Sequence, residues 1–350
     1  MLAKLHILVP FELTLPVGEK YKLYGYEEDG YHIFFEMPSW SGKPKKPGDP
    51  EHLEIDGKAA IQADVIRVCF QKESFDRRID AAIDPPEALI QKTLNSFLAR
   101  LKCVSHAPQV KPIEFQSSKW RIQYLNDDGT ELEQAEGYFR GRATHGVSFS
   151  FLGCDPILWD LIFTLPDGFE PPAWHGLLID SRGALPHVGT ALVLAATALE
   201  IFIAELLNEL VRKTTMPPGL WEWINDRGNW QKEPSVEEQY DVLLRIATGH
   251  SLKEENVLWE GLKNLRSARN SFVHEGIARL SRTKLSPNDV LPLIGRADEI
   301  VAKIREWIPE DCRWPAIEHS INIQMTKVIL GPSNPPLNTG APPEGGAPIS

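Results

Sequence analysis

The sequence predicts an α+β protein of two domains, a β-rich domain followed by an all-α helical bundle, and three observations carry that expectation. Short segments alternating apolar and polar residues fill residues 1–180. Residues 170–189 then collect Pro171, Pro172, Gly176, Gly183, Pro186 and Gly189, the composition of a linker. Beyond them the apolar residues recur at spacings of three and four, the period of helices with one buried face. At 350 residues the chain is long enough for both domains.

In the first domain, KLHILVPFELTL, YKLYGY, YHIFFEM, ADVIRVCF, KWRIQYL, GYFRGRA and VSFSFL read as strands. Turn chemistry such as SGKPKKPGDPEH and NDDGT separates them. One helix interrupts the run, opening at Pro85-Pro86 and continuing through ALIQKTLNSFLARLK. The aromatic residues Tyr21, Tyr24, Tyr31, Phe34, Phe35 and Trp120 read as core. This half carries no GxSxG, P-loop or dinucleotide fingerprint.

The helical domain, residues 189–309, begins with a helix over about Thr190 to Lys213. LVLAATALEIFIAELL is apolar almost all round, which places this helix at the centre of a bundle. A second helix starts at Ser235, with Glu238 as its capping-box partner. A third starts at Ser251, paired with Glu254, and runs to Gly276. The fourth opens on Ser286-Pro287-Asn288-Asp289 and ends at Pro309. TTMPPGLWEWINDRGNWQKEP, between the first two, is expected to pack over one end, and the Pro/Gly-rich residues 331–350 to be disordered.

Composition narrows the function. A net charge of -11 argues against a protein that coats nucleic acid by bulk electrostatics. Cys69, Cys103, Cys154 and Cys312 are scattered, without CxxC or a His cluster at ligand spacing, so neither structural zinc nor a disulfide framework is expected. No cofactor is called for. MLAKLHILVPFELTL reads as a strand and not a signal peptide. Ala191 to Leu207, with Glu200 and Glu205, falls short of the roughly 20 apolar residues of a membrane span. A cytoplasmic protein that keeps off membranes follows as the default.

The segment Leu262 to Gly276, LKNLRSARNSFVHEG, carries the chemistry. Leu258, Leu262, Leu265 and Phe272 mark one helical face, and Arg269 falls next in that rhythm. A guanidinium keeps its proton, so burying it demands an anion, either a carboxylate or a ligand phosphate. Arg, four residues, then His also occurs at Arg140/His145, Arg182/His187 and Arg245/His250, but only Arg269 follows a buried rhythm and precedes Asn270. Between Lys263 and Lys284 the bases Lys263, Arg266, Arg269, Arg279, Arg282 and Lys284 meet only Glu275 as an acid. That local excess is suited to an RNA backbone or, equally, to a solvated face. His274 suits a general base and Arg269 a phosphorane-stabilising cation. Asn270 would orient the histidine or hold a phosphate oxygen, Ser271 is a weaker candidate, and Glu200 would hold the guanidinium. A purely structural Arg269/Glu200 pair with a helix-terminal His274 uses the same residues. Positions five apart on an ideal helix diverge by about 140°, so a shared pocket requires the helix to tighten or end near Val273.

The bundle with its RNSFVH segment and with Glu200 in the first helix resembles the HEPN family of nucleotide-binding proteins, over about Gly189 to Pro309. Many members of that family are metal-independent ribonucleases with an Arg, four to six residues, His motif and often Asn directly after the Arg. The resemblance implies a homodimer whose two motifs line one cleft, with Arg269, Asn270 and His274 active on RNA. It also implies a setting such as toxin, antiphage or stress-response systems. The β-rich domain, which the resemblance leaves uncovered, would then meet a trigger or an antitoxin. A non-catalytic module binding RNA or a nucleotide is the alternative.

Overall fold

A computed structural model describes residues 1–40, 51–75, 84–137, 151–166, 169–213, 224, 234–315 and 323–327. Its first half is a mixed sheet built on β1 (Leu2–Pro16), in which Ala3, Leu5, Ile7, Val9, Phe11, Leu13 and Leu15 are buried. That strict period of two turns every second side chain to one face. Beside it run β2 (Gly25–Glu28), β3 (Tyr31–Ser39), β4 (Glu51–Ile55), β5 (Lys58–Gln71), β6 (Trp120–Leu125), β7 (Glu131–Gly137) and β8 (Phe151–Gly153). The path β4-β5-β1-β6-β7 is antiparallel, β3 also pairs with β5, and β8 lies parallel to β1. Helix α1 (Glu87–Ser105) covers the apolar face with Leu89, Ile90, Leu94, Phe97, Leu98 and Leu101. Phe97 stacks on Phe35 with ring centroids 4.5 Å apart.

The strand-period segments therefore form strands, with three qualifications. YKLYGY contributes only its end to β2, GYFRGRA lies almost wholly outside the described residues, and of VSFSFL only Phe151 and Leu152, in β8, are described. The aromatic residues pack as core, Tyr24 on Phe163 and Trp120 on Phe115, except that Phe34 sits half-exposed on the outer face against His32. A second helix, α2 (Pro156–Thr164), joins α1. It was not expected, although Asp155 caps it by accepting from the Leu158 N–H at 2.8 Å and Pro156 opens its first turn.

The Pro/Gly-rich stretch read as a linker folds as helix α3 (Ala173–Gly183). Proline fixes φ near the helical value and is tolerated at a helix start, so Pro171-Pro172 begins this helix. Trp174 and Leu178 enter the core of the helical half, and Trp174 meets Phe202 edge-on. On the other side Asp180 pairs with Lys102 of α1 at 2.8 Å, and the His175 Nδ1 lies 3.5 Å from the Cys103 Sγ. Arg182 pairs with Asp298. Helix α3 is thus shared by both halves.

The helical half centres on α4 (Val188–Lys213), with Ala191, Leu192, Ala195, Leu199, Phe202, Ile203, Leu206 and Leu210 buried. By length and hydropathy alone α4 matches a membrane span, but 56% of its most apolar window is buried inside the protein. Around it lie α5 (residues 236–248), α6 (Asn256–Glu275) and α7 (Pro287–Trp307). The capping box Ser235/Glu238 forms as expected, and Ser286, expected as a cap before Pro287, forms a box with Asp289. Ser251 does not cap α6. Its hydroxyl accepts from the Lys253 N–H at the head of a 3-10 turn, Leu252–Glu254, and α6 starts at Asn256. A small hairpin, β9 (Arg279–Leu280) and β10 (Thr283–Lys284), joins α6 to α7. After the bundle the chain returns to the sheet, where β11 (Ile323–Lys327) pairs antiparallel with β4. The β-rich domain therefore includes a strand far outside residues 1–180. The Trp-rich insertion, Ile224 apart, and the tail 331–350 lie outside the described residues.

Two stability predictions follow from this packing. Burial first, then the charges of His106, Arg182 and Lys102, lowers the His175 pKa from 6.5 to about 4. The folded state thus resists a proton that the unfolded chain accepts, so stability is complete above pH 6.5 and is lost as the pH falls toward 4. Urea titrations of His175→Gln against wild type should lose that slope, amounting at most to ~3 kcal/mol. At Gly189 a Cβ would overlap the Phe272 ring. Gly189→Ala should therefore destabilise by about 1–3 kcal/mol in the same assay, and an unchanged midpoint would show that the ring yields freely.

Candidate functional site

The candidate residues stand on α6 and α4. On α6 the buried positions are Gly261, Leu262, Leu265 and Ala268, with Leu258 and Phe272 half-buried. The innermost slot thus belongs to Ala268, and Arg269 sits at the edge of the stripe with its side chain 30% exposed. The expectation of a fully buried guanidinium is corrected by this one-residue offset, which lets the long side chain lie along the apolar face while its head meets solvent.

Glu200 of α4 does face Arg269. Its Oε2 lies 4.0 Å from Nη2, with the carboxylate side chain 32% exposed. On the other side, Nη1 donates to Asn270 Oδ1 at 3.0 Å. The guanidinium is held between a carboxylate and an amide, while its buried Nε has no hydrogen-bond partner among the described residues. Asn270 and His274 are exposed and one turn apart. Asn270 therefore connects the Arg269 head to the face that carries His274.

Helix α6 stays α-helical to Glu275 and ends at Gly276, φ 72°, whose N–H bonds back to Phe272 at 2.8 Å. The helix neither tightens nor ends near Val273. Within one chain Arg269 and His274 consequently keep the roughly 140° divergence of an ideal helix. Ser271 has a structural engagement, donating to the Ile277 carbonyl at 2.8 Å and closing the turn after α6.

The basic cluster is less free than its local sequence suggests. Lys263 pairs with Glu260 at 3.0 Å, Arg266 with Glu237 at 2.8 Å and Arg279 with Glu275 at 3.5 Å. Counting acids only between residues 263 and 284 overlooked Glu260 one turn earlier and Glu237 on α5. Arg282 and Lys284 make no ion pair among the described residues. A groove of about 490 Å³ lies among Val188, Phe272, Ile277, Lys284 and Leu285, at the end of α6 and the start of α4. None of Arg269, Asn270 or His274 lines it.

Sequence reasoning placed a helix at Ser235 but passed over the polar residues of α5 as part of the site. There Glu237 reaches Arg266, the Tyr240 hydroxyl donates to the Leu199 carbonyl at 2.8 Å, and Asp241 accepts from the Ser251 hydroxyl at 2.7 Å. The signal was available. Glu237, Tyr240, Asp241 and Leu244 recur at three and four, so the polar members share the face of buried Leu244 and require partners there. Of the other Arg/His pairs, Arg245/His250 flanks a helix end at Gly249, φ 81°, Arg182 is taken by Asp298, and Arg140/His145 lies outside the described residues. Cys69, Cys103 and Cys154 are buried free thiols and Cys312 is half-exposed. No group of metal-ligating side chains occurs among the described residues.

Because the Glu200–Arg269 pair is partly solvated and at the limit of ion-pair distance, it contributes little to the fold. Glu200→Gln should cost less than ~1 kcal/mol in chemical denaturation, where a sealed pair would lose several. Against known proteins, no family model, curated protein or solved structure matches the chain.

Proposed function

We propose that the protein is a metal-independent endoribonuclease of HEPN type that works as a homodimer through its helical half. The observation that carries the reading is the Arg269 guanidinium held between Glu200 and Asn270, with an exposed His274 one turn on from Asn270. RNA supplies its own nucleophile. His274 takes the proton from a 2'-hydroxyl, the oxygen attacks phosphorus, and the bond to the 5'-oxygen breaks. A 2',3'-cyclic phosphate and a 5'-hydroxyl result, the leaving oxygen taking its proton from water. Arg269 meets the charge that develops on the phosphorane.

The divergence of Arg269 and His274 calls for two chains, since each cleft can then draw Arg269 from one and His274 from the other. Val273, 53% exposed, and Leu291, 51% exposed, offer apolar surface on and near the same helix for that contact. Arg282 and Lys284 are the cations available to a phosphate backbone. Lys263, Arg266 and Arg279 would have to exchange carboxylates for it. A role in toxin, antiphage or stress-response systems, with the sheet domain meeting a trigger or antitoxin, belongs to the same reading and rests on the family resemblance, whereas the cytoplasmic setting rests on composition alone.

The divergence of Arg269 and His274 within one chain favours one rival, a non-catalytic module that binds RNA or a nucleotide. Incubating the purified chain with mixed RNAs in chelator separates the two. Under the catalytic reading wild type leaves 2',3'-cyclic phosphate ends, and His274→Ala loses about 10²- to 10⁴-fold in rate with an unchanged melting curve. Cleavage that requires magnesium, survives His274→Ala or leaves 3'-hydroxyl ends overturns it.

A further inference from the structure

We infer that Tyr240 is a positioning residue for the Glu200–Arg269 pair, its hydroxyl anchoring the α4 backbone at the residue before Glu200. The inference rests on the reading of Arg269 as the group that meets the phosphate. Tyr240 is fully buried, and its hydroxyl donates to the Leu199 carbonyl at 2.8 Å. A carbonyl oxygen has two lone pairs, so that bond is made alongside the helical one of α4. Burial, and then the nearby Glu200 charge, raises the phenol pKa well above its ordinary value, so the hydroxyl stays a donor.

The pair needs such an anchor. At 4.0 Å, with both side chains about a third exposed, its own attraction is too weak to hold two long side chains in one geometry. The spacing of α4 and α6 has to set the distance. Helix α5 spans both: Tyr240 grips α4 at Leu199, and Glu237 grips α6 at Arg266, one turn before Arg269. Asp241 fixes the same helix to the turn leading into α6, through Ser251 at 2.7 Å and Lys253 at 3.2 Å. At Tyr240 the helix widens into a π turn, Gln239–Leu243, a rare departure from α geometry that occurs frequently at functional sites.

Tyr240→Phe in the full chain keeps the ring and removes the donor. Two readouts are taken, nitrogen-15 resonances of the Arg269 guanidinium and the kinetics of RNA cleavage. In wild type the restrained guanidinium should give separate, slowly rotating Nη signals. In Tyr240→Phe, with helicity unchanged, they should merge as they do in Glu200→Gln, and kcat should fall about 10-fold at constant KM. Unchanged signals and kcat would make Tyr240 a core filler and overturn the inference. If Tyr240→Phe does not fold, Glu237→Gln loosens the same helix from the solvent side and is judged by the same two readouts. If wild type cleaves no RNA, the ribonuclease reading fails and the Arg269 signals alone decide the positioning.

Discussion

The burial of α4 is the constraint on which the helical half depends. A helix apolar around most of its circumference has to be covered on most sides, and α3, α5, α6 and α7 supply the cover. With so much of its length buried, the few polar groups on α4 have little choice of partner. Glu200, a third exposed, faces what α6 presents at the edge of its stripe, which is Arg269. Tyr240, entering from α5, spends its hydroxyl on the adjoining turn of α4. The site is therefore a by-product of how the central helix is packed, and it stands where three helices meet, not on a loop.

Helix α3 extends that dependence to the sheet. It packs its tryptophan into the helical core and holds α1 by an ion pair and a Cys–His contact, while β11 ties the far end of the bundle to the sheet edge through β4. The two halves are thus joined by packing at α3 and by the chain itself at both ends of the bundle. Lys102 and Cys103 of α1 meet α3 next to the Arg182–Asp298 pair, which carries the contact on into α7.

The parts legible in the sequence were those governed by one local rule. Period-two burial marked β1, β3, β5 and β6, helical period marked α1, α4 and α7, and two capping boxes stood where Ser and an acid were three apart. Other elements carry weaker signals. β4 and β7 are short and polar, with no apolar alternation to read, and β11 gains its meaning only from a partner some 270 residues earlier. Helix α3 hid behind its prolines, because composition cannot tell a proline that starts a helix from one that prevents it. At the site, the Glu200–Arg269 contact was legible from two charges on apolar faces. Its depth was not, since the shift from Arg269 to Ala268 as the inward residue is smaller than a period argument resolves.

Chemistry at this site has to contend with charge balance as well as geometry. Glu200 neutralises the cation assigned to the phosphorane, so Arg269 can stabilise incoming negative charge only with the donor capacity that Glu200 leaves. The 4.0 Å separation leaves much of it: a long, partly solvated contact orients the guanidinium without closing its fork, whereas a short bidentate pair would occupy both donor edges. Asn270 takes one Nη1 hydrogen as a neutral acceptor and can release it to a phosphate oxygen without exposing an unpaired charge. The same weakness that removes the pair from any account of stability therefore keeps Arg269 available to an anion. Under the proposed ribonuclease reading, a pair held close but not joined is the geometry that binding a phosphate there would require.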